Sequence, residues 1–315
     1  MFEVIRAGPM ATIQDMGRSG HQRFGMPVSG AMDAFSLQVA NLLVGNGPHL
    51  AALEVALGGL TLRAAADGVA AICGAGLGAK LDDQPCPLWK SLLIRRGQSI
   101  SWSGEGPGSW SYLAAAGGFE GDTILGSKST YLRGRLGGMG GRALRNGDVL
   151  CAGKPLAPLS ALAGRGLNRE NIPQYPPRQS VRVIAGPHED MFTPEAIALL
   201  LSAEFQISSR SDRMGYRLQG PALAHRGAAD IYSDAVTAGS IQVPAGGQPI
   251  VLMADRQTVG GYSQIATVIS VDLPALAQMR PGQHVAFSLS SVGQAQALLL
   301  ERQRVLAQIQ AACTR

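Results

Sequence analysis

Short apolar runs, not long stripes, dominate the hydrophobic pattern of this chain. Leu53–Leu57, Leu60–Leu62, Val69–Ile72, Leu88–Ile94, Ser99–Trp102, Ser111–Ala115 and Asp148–Cys151 succeed one another with glycines between them. Runs this short, bounded by turn residues, predict the strands of a sandwich or barrel. Residues 2–6 alternate as an earlier strand, and a Gly/Pro-punctuated polar loop follows from Ala7 to Gly30. One helix interrupts the pattern at about 31–44. Phe35, Val39, Leu42 and Leu43 form its apolar stripe, Ser29 or Asp33 can cap its start, and Gly45-Asn46 supplies a left-handed stop.

Between 154 and 180 the pattern lapses. Pro155, Pro158, Pro173, Pro176 and Pro177 occur there with Arg165, Arg169 and Arg178, which is linker composition. Beyond it Val181–Ala185 reads as a strand, Thr193-Pro194-Glu195 opens a helix to about Leu201, and Glu204–Ser208 returns as a strand. Further strands are expected near 240–243, 249–254, 265–271 and 283–289. Asp272 can cap a short helix over Pro274–Gln278. A last amphipathic helix over 292–312 places Ala295, Leu298, Leu299, Val305, Leu306 and Ile309 on one face, which is expected to pack on the body. The expected division is a first subdomain over 1–154, a linker over 155–180, a second subdomain over 181–290 and a C-terminal helix over 291–315. A chain of 315 residues is long enough for two cores.

Composition adds weight to a β-rich reading: 41 glycines against 16% charged residues mean many turns and few solvent-facing helices. The net charge of +5 comes from scattered Lys and Arg with no run that would track phosphates, so nucleic acid is not an expected partner. Surplus arginine suits small anionic substrates instead, because the guanidinium fork matches carboxylates and phosphates. The N-terminus has an early acid and no apolar core, and no stretch of about 18 apolar residues occurs, so neither a leader nor a membrane span is expected. A cytoplasmic location follows as an expectation. Cys73, Cys86, Cys151 and Cys313 lack paired spacing, and the five histidines lack ligand spacing, so no metal is expected.

Several motifs fail on inspection. Gly74-Ala75-Gly76-Leu77-Gly78 has the wrong spacing for a dinucleotide loop and reads as a glycine-rich hairpin. Gly147 to Lys154 is one residue too long for a P-loop, and Pro155 lacks the hydroxyl needed for magnesium. No serine sits in a G-x-S-x-G elbow. His188-Glu189-Asp190, after a strand end, can line a pocket or form a solvated turn.

Two polar loops remain. Ser208 to Gly220 concentrates Arg210, Arg213 and Arg217 with Asp212, so that an arginine held by a neighbouring aspartate could act as an anion clamp. The same spacing fits an internal Asp–Arg pair that merely stabilises the turn. Ile250 to Ile269 is apolar at both ends and carries Asp255, Arg256, Gln257, Thr258 and Tyr262 between, with Gly260-Gly261 allowing close backbone approach. Asp255 could serve as base or orienter there, and Arg256 or Gln257 could bind a carbonyl or carboxylate.

Ser211-Asp212-Arg213-Met214-Gly215 and Ala254-Asp255-Arg256-Gln257-Thr258 resemble segments of the biotin-dependent carboxyltransferase family, also called allophanate hydrolase subunit 2. So do Thr12-Ile13-Gln14-Asp15-Met16-Gly17-Arg18, Pro27-Val28-Ser29-Gly30-Ala31-Met32-Asp33, Ala40-Asn41-Leu42-Leu43-Val44-Gly45-Asn46, Leu53-Glu54, Gly239-Ser240-Ile241-Gln242-Val243-Pro244 and Gly247-Gln248-Pro249. The resemblance implies a mainly β chain with a few helices, folded as two cyclophilin-like β-barrel subdomains. Family activities include carboxyl transfer from carboxybiotin to urea, ATP-dependent opening of 5-oxoproline by a multi-subunit enzyme, and regulation of a sporulation-kinase inhibitor. No Met-Lys-Met biotin site occurs in this chain, which favours the 5-oxoprolinase type; in a carboxyltransferase, biotin would sit on another chain. One departure is Val259-Gly260-Gly261-Tyr262-Ser263-Gln264, where many relatives have Thr-Gly-Gly-Tyr-Pro-Lys, so no lysine charge is available at 264.

The resemblance therefore implies a subunit of an amide-ring hydrolase. Its catalytic groups are expected to be Asp255, Arg213 and Arg256, with Gln257, Thr258, Gly261, Tyr262, Arg18, Asp33 and Asp212 binding substrate. Arg18 and Asp33 are expected on the same cleft as the later loops. ATP with Mg would be used by the complex without a P-loop, alongside an allophanate hydrolase subunit 1-like partner, a third subunit and a small amide substrate. The isolated chain is expected to have weak activity or none.

Overall fold

A computed structural model describes residues 1–314 and divides the chain into two compact units, one over Met1–Arg18, Ser29–Gln174 and Arg304–Arg315, the other over Ser19–Val28 and Tyr175–Gln303. The first unit contains β1 (Phe2–Arg6), β2 (Met10–Gln14), α1 (Ala34–Leu43), β3 (Ala52–Ala56), β4 (Thr61–Ala64), β5 (Gly68–Gly74), β6 (Ala79–Leu81), β7 (Gln84–Pro85), β8 (Ser91–Ile94), β9 (Ser99–Trp102), β10 (Trp110–Ala115), β11 (Val149–Leu150) and α2 (Leu159–Leu162). They form a six-stranded sheet, β11-β1-β4-β9-β6-β7, and a five-stranded sheet, β2-β3-β10-β5-β8. The apolar runs read from the sequence are the centre of this unit: every residue of β3, β5 and β10 is buried.

β2 falls inside the segment expected to be loop. Its polar residues are interior ones: Thr12 and Gln14 are buried, and Gln14 Nε2 donates to Thr12 Oγ1 and to the Thr130 carbonyl, both at 3.0 Å. The glycine-rich run after β5 is not a hairpin, because β5 and β6 lie in different sheets and the run carries the chain from one to the other. The hairpin is β6–β7, turned at Asp82 (φ 48°) and Asp83 (φ 65°), the left-handed pair that two-residue hairpin turns require. Nor is 155–180 wholly a linker. Ser91 Oγ donates to the Leu162 carbonyl at 2.7 Å and accepts from Arg165 N at 3.0 Å, and Leu162 is buried, so the chain as far as Gln174 is part of the first unit.

The second unit contains β12 (Arg178–Ala185), α3 (Pro194–Ser202), β13 (Glu204–Ile207), β14 (Gly215–Gln219), β15 (Asp230–Ala235), β16 (Ser240–Gln242), β17 (Ile250–Leu252), β18 (Val259–Tyr262), β19 (Gln264–Val268), α4 (Leu273–Ala277), β20 (His284–Leu289) and the start of α5 (Val292–Cys313). Seven strands close a barrel in the order β12-β19-β16-β17-β14-β13-β20, and β15 pairs with β18 as a separate two-stranded ribbon. Thr193 caps α3 as expected, accepting from Ala196 N at 3.1 Å. Asp272 makes no side-chain cap on α4. Its carboxylate takes Arg182 in a two-point ion pair, 2.9 Å from Nε and 2.6 Å from a terminal nitrogen, which is stronger than a neutral cap. On α5 the less exposed positions include Ala295, Leu298, Val305, Leu306 and Ile309 as the spacing predicts, whereas Leu299 is exposed.

The four cysteines are free, and burial separates them. Desolvation raises the Cys73 thiol well above its usual range and the Cys86 thiol to about 11, from an ordinary value of 9.0. Both thiols are therefore protonated in the folded chain at pH values where the unfolded chain holds thiolates, so the folded state binds more protons. Stability is expected to be full below about pH 9 and to fall as pH rises toward 11, with a slope of up to about 1.4 kcal/mol per pH unit per thiol. Urea unfolding between pH 8 and 10.5 checks this; a midpoint that falls less steeply with pH in Cys86→Ala than in the parent isolates that group, with Cys73 contributing to the fall that remains.

Candidate functional site

The two polar loops meet at one end of the barrel. β14 begins and β17 ends there, and Met253 N donates to the Met214 carbonyl at 2.9 Å and Asp255 N to the Arg213 carbonyl at 2.8 Å, joining the loops backbone to backbone. Side chains repeat the junction. Arg213 donates to both carboxylate oxygens of Asp255, Nε at 2.8 Å and a terminal nitrogen at 3.0 Å, and both residues are only 5% exposed. Arg213 is thus held by an aspartate 42 residues along, not by its neighbour Asp212. Asp212 instead closes its own turn, accepting from Met214 N at 2.8 Å and Gly215 N at 3.2 Å.

Arg256 differs from Arg213. Its guanidinium donates to the Met253 carbonyl at 3.3 Å, its Nε is buried without a hydrogen-bond partner, and no carboxylate pairs with it among the described residues. Desolvation without compensation lowers its affinity for its proton. A half-buried cation with donors to spare attracts an anion or a developing oxyanion.

Beside it, Gln257 Nε2 donates to Gln242 Oε1 at 3.3 Å, and Gln242 Nε2 donates to the Tyr262 carbonyl at 3.2 Å. Gln242, buried on β16, therefore ties the Gln257 loop to the β18 ribbon. The sequence reading quoted this residue within the Gly239–Pro244 segment but gave it no role at the site. Thr258 accepts at its carbonyl from Val236 N at 3.1 Å, fastening the same ribbon, and Tyr262 is 42% exposed. Glycine is needed at 260, where a Cβ would lie 2.5 Å from Gln242 Nε2, whereas at 261 the nearest atom is the Ile231 carbonyl oxygen at 3.5 Å. Gly260→Ala is expected to turn the far end of Gln242 aside and, by loss of about one hydrogen bond, to lower stability by about 1 kcal/mol. Thermal unfolding checks it.

Arg18 and Asp33 belong to the first unit, where both are buried and engaged. Arg18 Nε donates to the Ile124 carbonyl at 3.4 Å and a terminal nitrogen donates to the Ser129 carbonyl. Asp33 caps α1, accepting from Ser36 N at 2.9 Å and Ser36 Oγ at 2.6 Å. Asp33 N in turn donates to Tyr112 Oη, which donates to Glu54 at 2.7 Å. Asp15, not singled out from the sequence, is the hub of this region, accepting from Ser127 Oγ and Ser129 Oγ at 2.6 Å, Lys128 N at 2.6 Å and Gly17 N at 2.8 Å.

The histidines serve the barrel. His188 Nδ1 accepts from Gln264 N at 3.3 Å, anchoring the segment after β12. His225 Nε2 lies 3.1 Å from the Val243 carbonyl and 3.0 Å from Ser263 Oγ; a carbonyl only accepts, so Nε2 carries the proton and does not activate the serine as a base would. Among the described residues no group of three or more His, Cys, Asp or Glu could hold a metal ion, and no helix is long and apolar enough to cross a membrane.

The chain is similar to several known proteins. The chain is 38% identical to the C component of the 5-oxoprolinase of Escherichia coli (strain K12), over 98% of this chain and 97% of that one. It is 32% identical to urea amidolyase of Lachancea kluyveri over 91% of its length, which is 17% of the relative's. The crystal structure of the K. lactis urea amidolyase superposes with a TM-score of 0.88 at 28% identity, over 98% of this chain and 20% of that chain. The model of the carboxyltransferase domain, subdomains A and B, matches residues 24–289, and the chain belongs to that family.

Proposed function

We propose that this chain is the C-type component of an ATP-dependent 5-oxoprolinase, opening 5-oxoproline to glutamate together with a subunit 1-like partner and a third subunit. The observation that carries the reading is the uncompensated Arg256 guanidinium, set beside the amides of Gln257 and Gln242 in a chain so similar in sequence and length to the C component of 5-oxoprolinase. In this reading the terminal phosphoryl group of ATP passes to the ring-amide oxygen with ADP leaving, and water adds to the carbonyl carbon. The ring C–N bond breaks with the nitrogen leaving as the amine, and a second water hydrolyses the resulting acyl phosphate to glutamate and phosphate. Arg256 neutralises negative charge around the oxygen that takes the phosphoryl group. Gln257 and the half-exposed Tyr262 hold the amide and carboxylate of the substrate. Asp255 is the orienter and not the base, since both its oxygens already accept from Arg213, and the pair fixes the loop that carries Arg256. ATP and Mg enter as reactants bound by the complex. A cytoplasmic location accords with this role.

The family description and the urea amidolyase relatives favour one second reading: the same donors hold the carbonyl of urea or a similar acceptor while that acceptor takes the carboxyl group from carboxybiotin carried on another chain, leaving biotin. Co-expression with neighbouring subunits, followed by ATP consumption with 5-oxoproline and with urea, separates the two. Turnover of 5-oxoproline only by the reconstituted complex supports the first. Turnover of urea with a co-purifying biotin carboxylase and no activity on 5-oxoproline supports the second and sinks the first.

A further inference from the structure

A second cationic site lies at the other end of β14. Tyr216 and Leu218 are buried, so the alternating Arg217 and Gln219 stand on the outer face of the barrel wall. There a cavity of about 410 Å³ opens between the Ser208–Gly220 hairpin and the Pro244–Ile250 segment, and Arg210 and Arg217 both line it. No acidic residue lines it, and neither guanidinium has a hydrogen bond or ion pair among the described residues. Arg213, by contrast, is neutralised by Asp255. The wall is built in advance: Gly220 N donates to Gln248 Oε1 and Gln248 Nε2 donates to the Gly220 carbonyl, both at 3.0 Å, clipping the two segments together. Pro244, Pro249 and Ile250 supply an apolar side.

We propose that this outer-wall cavity binds a small organic dianion, a phosphate monoester or a dicarboxylate, with its charged end on Arg210 and Arg217 and its apolar part against the Pro244, Pro249 and Ile250 side. Two unneutralised forks call for two negative charges, and the volume lies within the range of small-ligand pockets. The site is separate from the residues around Arg256, and binding there requires no turnover.

The test is calorimetric titration of the full chain with phenyl phosphate, succinate and, as a monoanion control, benzoate, at fixed ionic strength. At least one of the two dianions is expected to bind about ten-fold more tightly than benzoate, and which one binds tells phosphate from dicarboxylate. The Arg210→Ala/Arg217→Ala double variant is expected to lose that binding about ten-fold or more while unfolding at the parent temperature. Gly246 lines the cavity, and a Cβ there meets no atom within 4 Å, so Gly246→Trp is expected to block binding with both arginines intact. Failure of both dianions to bind the parent, or undiminished binding by the double variant, or by a folded Gly246→Trp, overturns the proposal. None of these results depends on whether the chain serves a 5-oxoprolinase.

Discussion

Asp255→Ala should lower the stability of this protein by about 3–5 kcal/mol, because it takes the carboxylate partner from a buried guanidinium. Arg213 and Asp255 are each 5% exposed, and their two-point pair satisfies the charge of both. Removing the acid takes the two-point carboxylate partner from a buried Arg213, whereas replacing both partners, as in Arg213→Met/Asp255→Leu, should cost much less. Urea unfolding of the three proteins checks this. A double variant as unstable as the single one would mean that the pair's geometry, not charge compensation, holds the loops. Activity of Asp255 variants has to be read well below their unfolding temperature, since part of any loss will be loss of folded protein.

Arg256→Met should do the reverse. The parent holds a largely desolvated cation with a buried Nε lacking a partner, an arrangement that costs stability. The apolar replacement is expected to leave the unfolding midpoint unchanged or raised, while kcat for 5-oxoproline in the reconstituted complex falls by about 10²–10³. A proportional fall in kcat/KM would place the interaction in the transition state, and a change confined to KM would place it in substrate binding. Unaltered turnover would remove Arg256 from the mechanism. A collapse in stability would mean that the residue is a structural support and that its apparent surplus of donors is met elsewhere.

The contrast between these two arginines was not legible in the sequence. Both sit beside an aspartate, Asp212-Arg213 and Asp255-Arg256, and in the first loop adjacency suggested an arginine held by its neighbour. The fold crosses the pairs: Asp255 takes Arg213, Asp212 closes a turn, and Arg256 is left over. The same blindness hid Gln242, whose partners lie 15 and 20 residues away, and Asp15, whose partners lie more than a hundred residues away. Asp33 was identified as a possible helix cap and also, through family resemblance, as a substrate ligand; the structure shows it in the first role.

What the sequence determined by itself was local: short apolar runs as strands, α1 and α3 with their caps, and, through its motifs, the family. These follow from periodicity and turn chemistry, which act over a few residues. β2 was lost to that reading because its polar side chains are buried against distant partners, and the Gly74–Gly78 run because a turn looks the same whether it closes a hairpin or crosses between sheets. The closure of the barrel, the boundary at Gln174 and the division of labour between Arg213 and Arg256 were decided only by the tertiary structure. The physical reason is that burial fixes which charges must be paired, and burial is set by residues far apart in the chain.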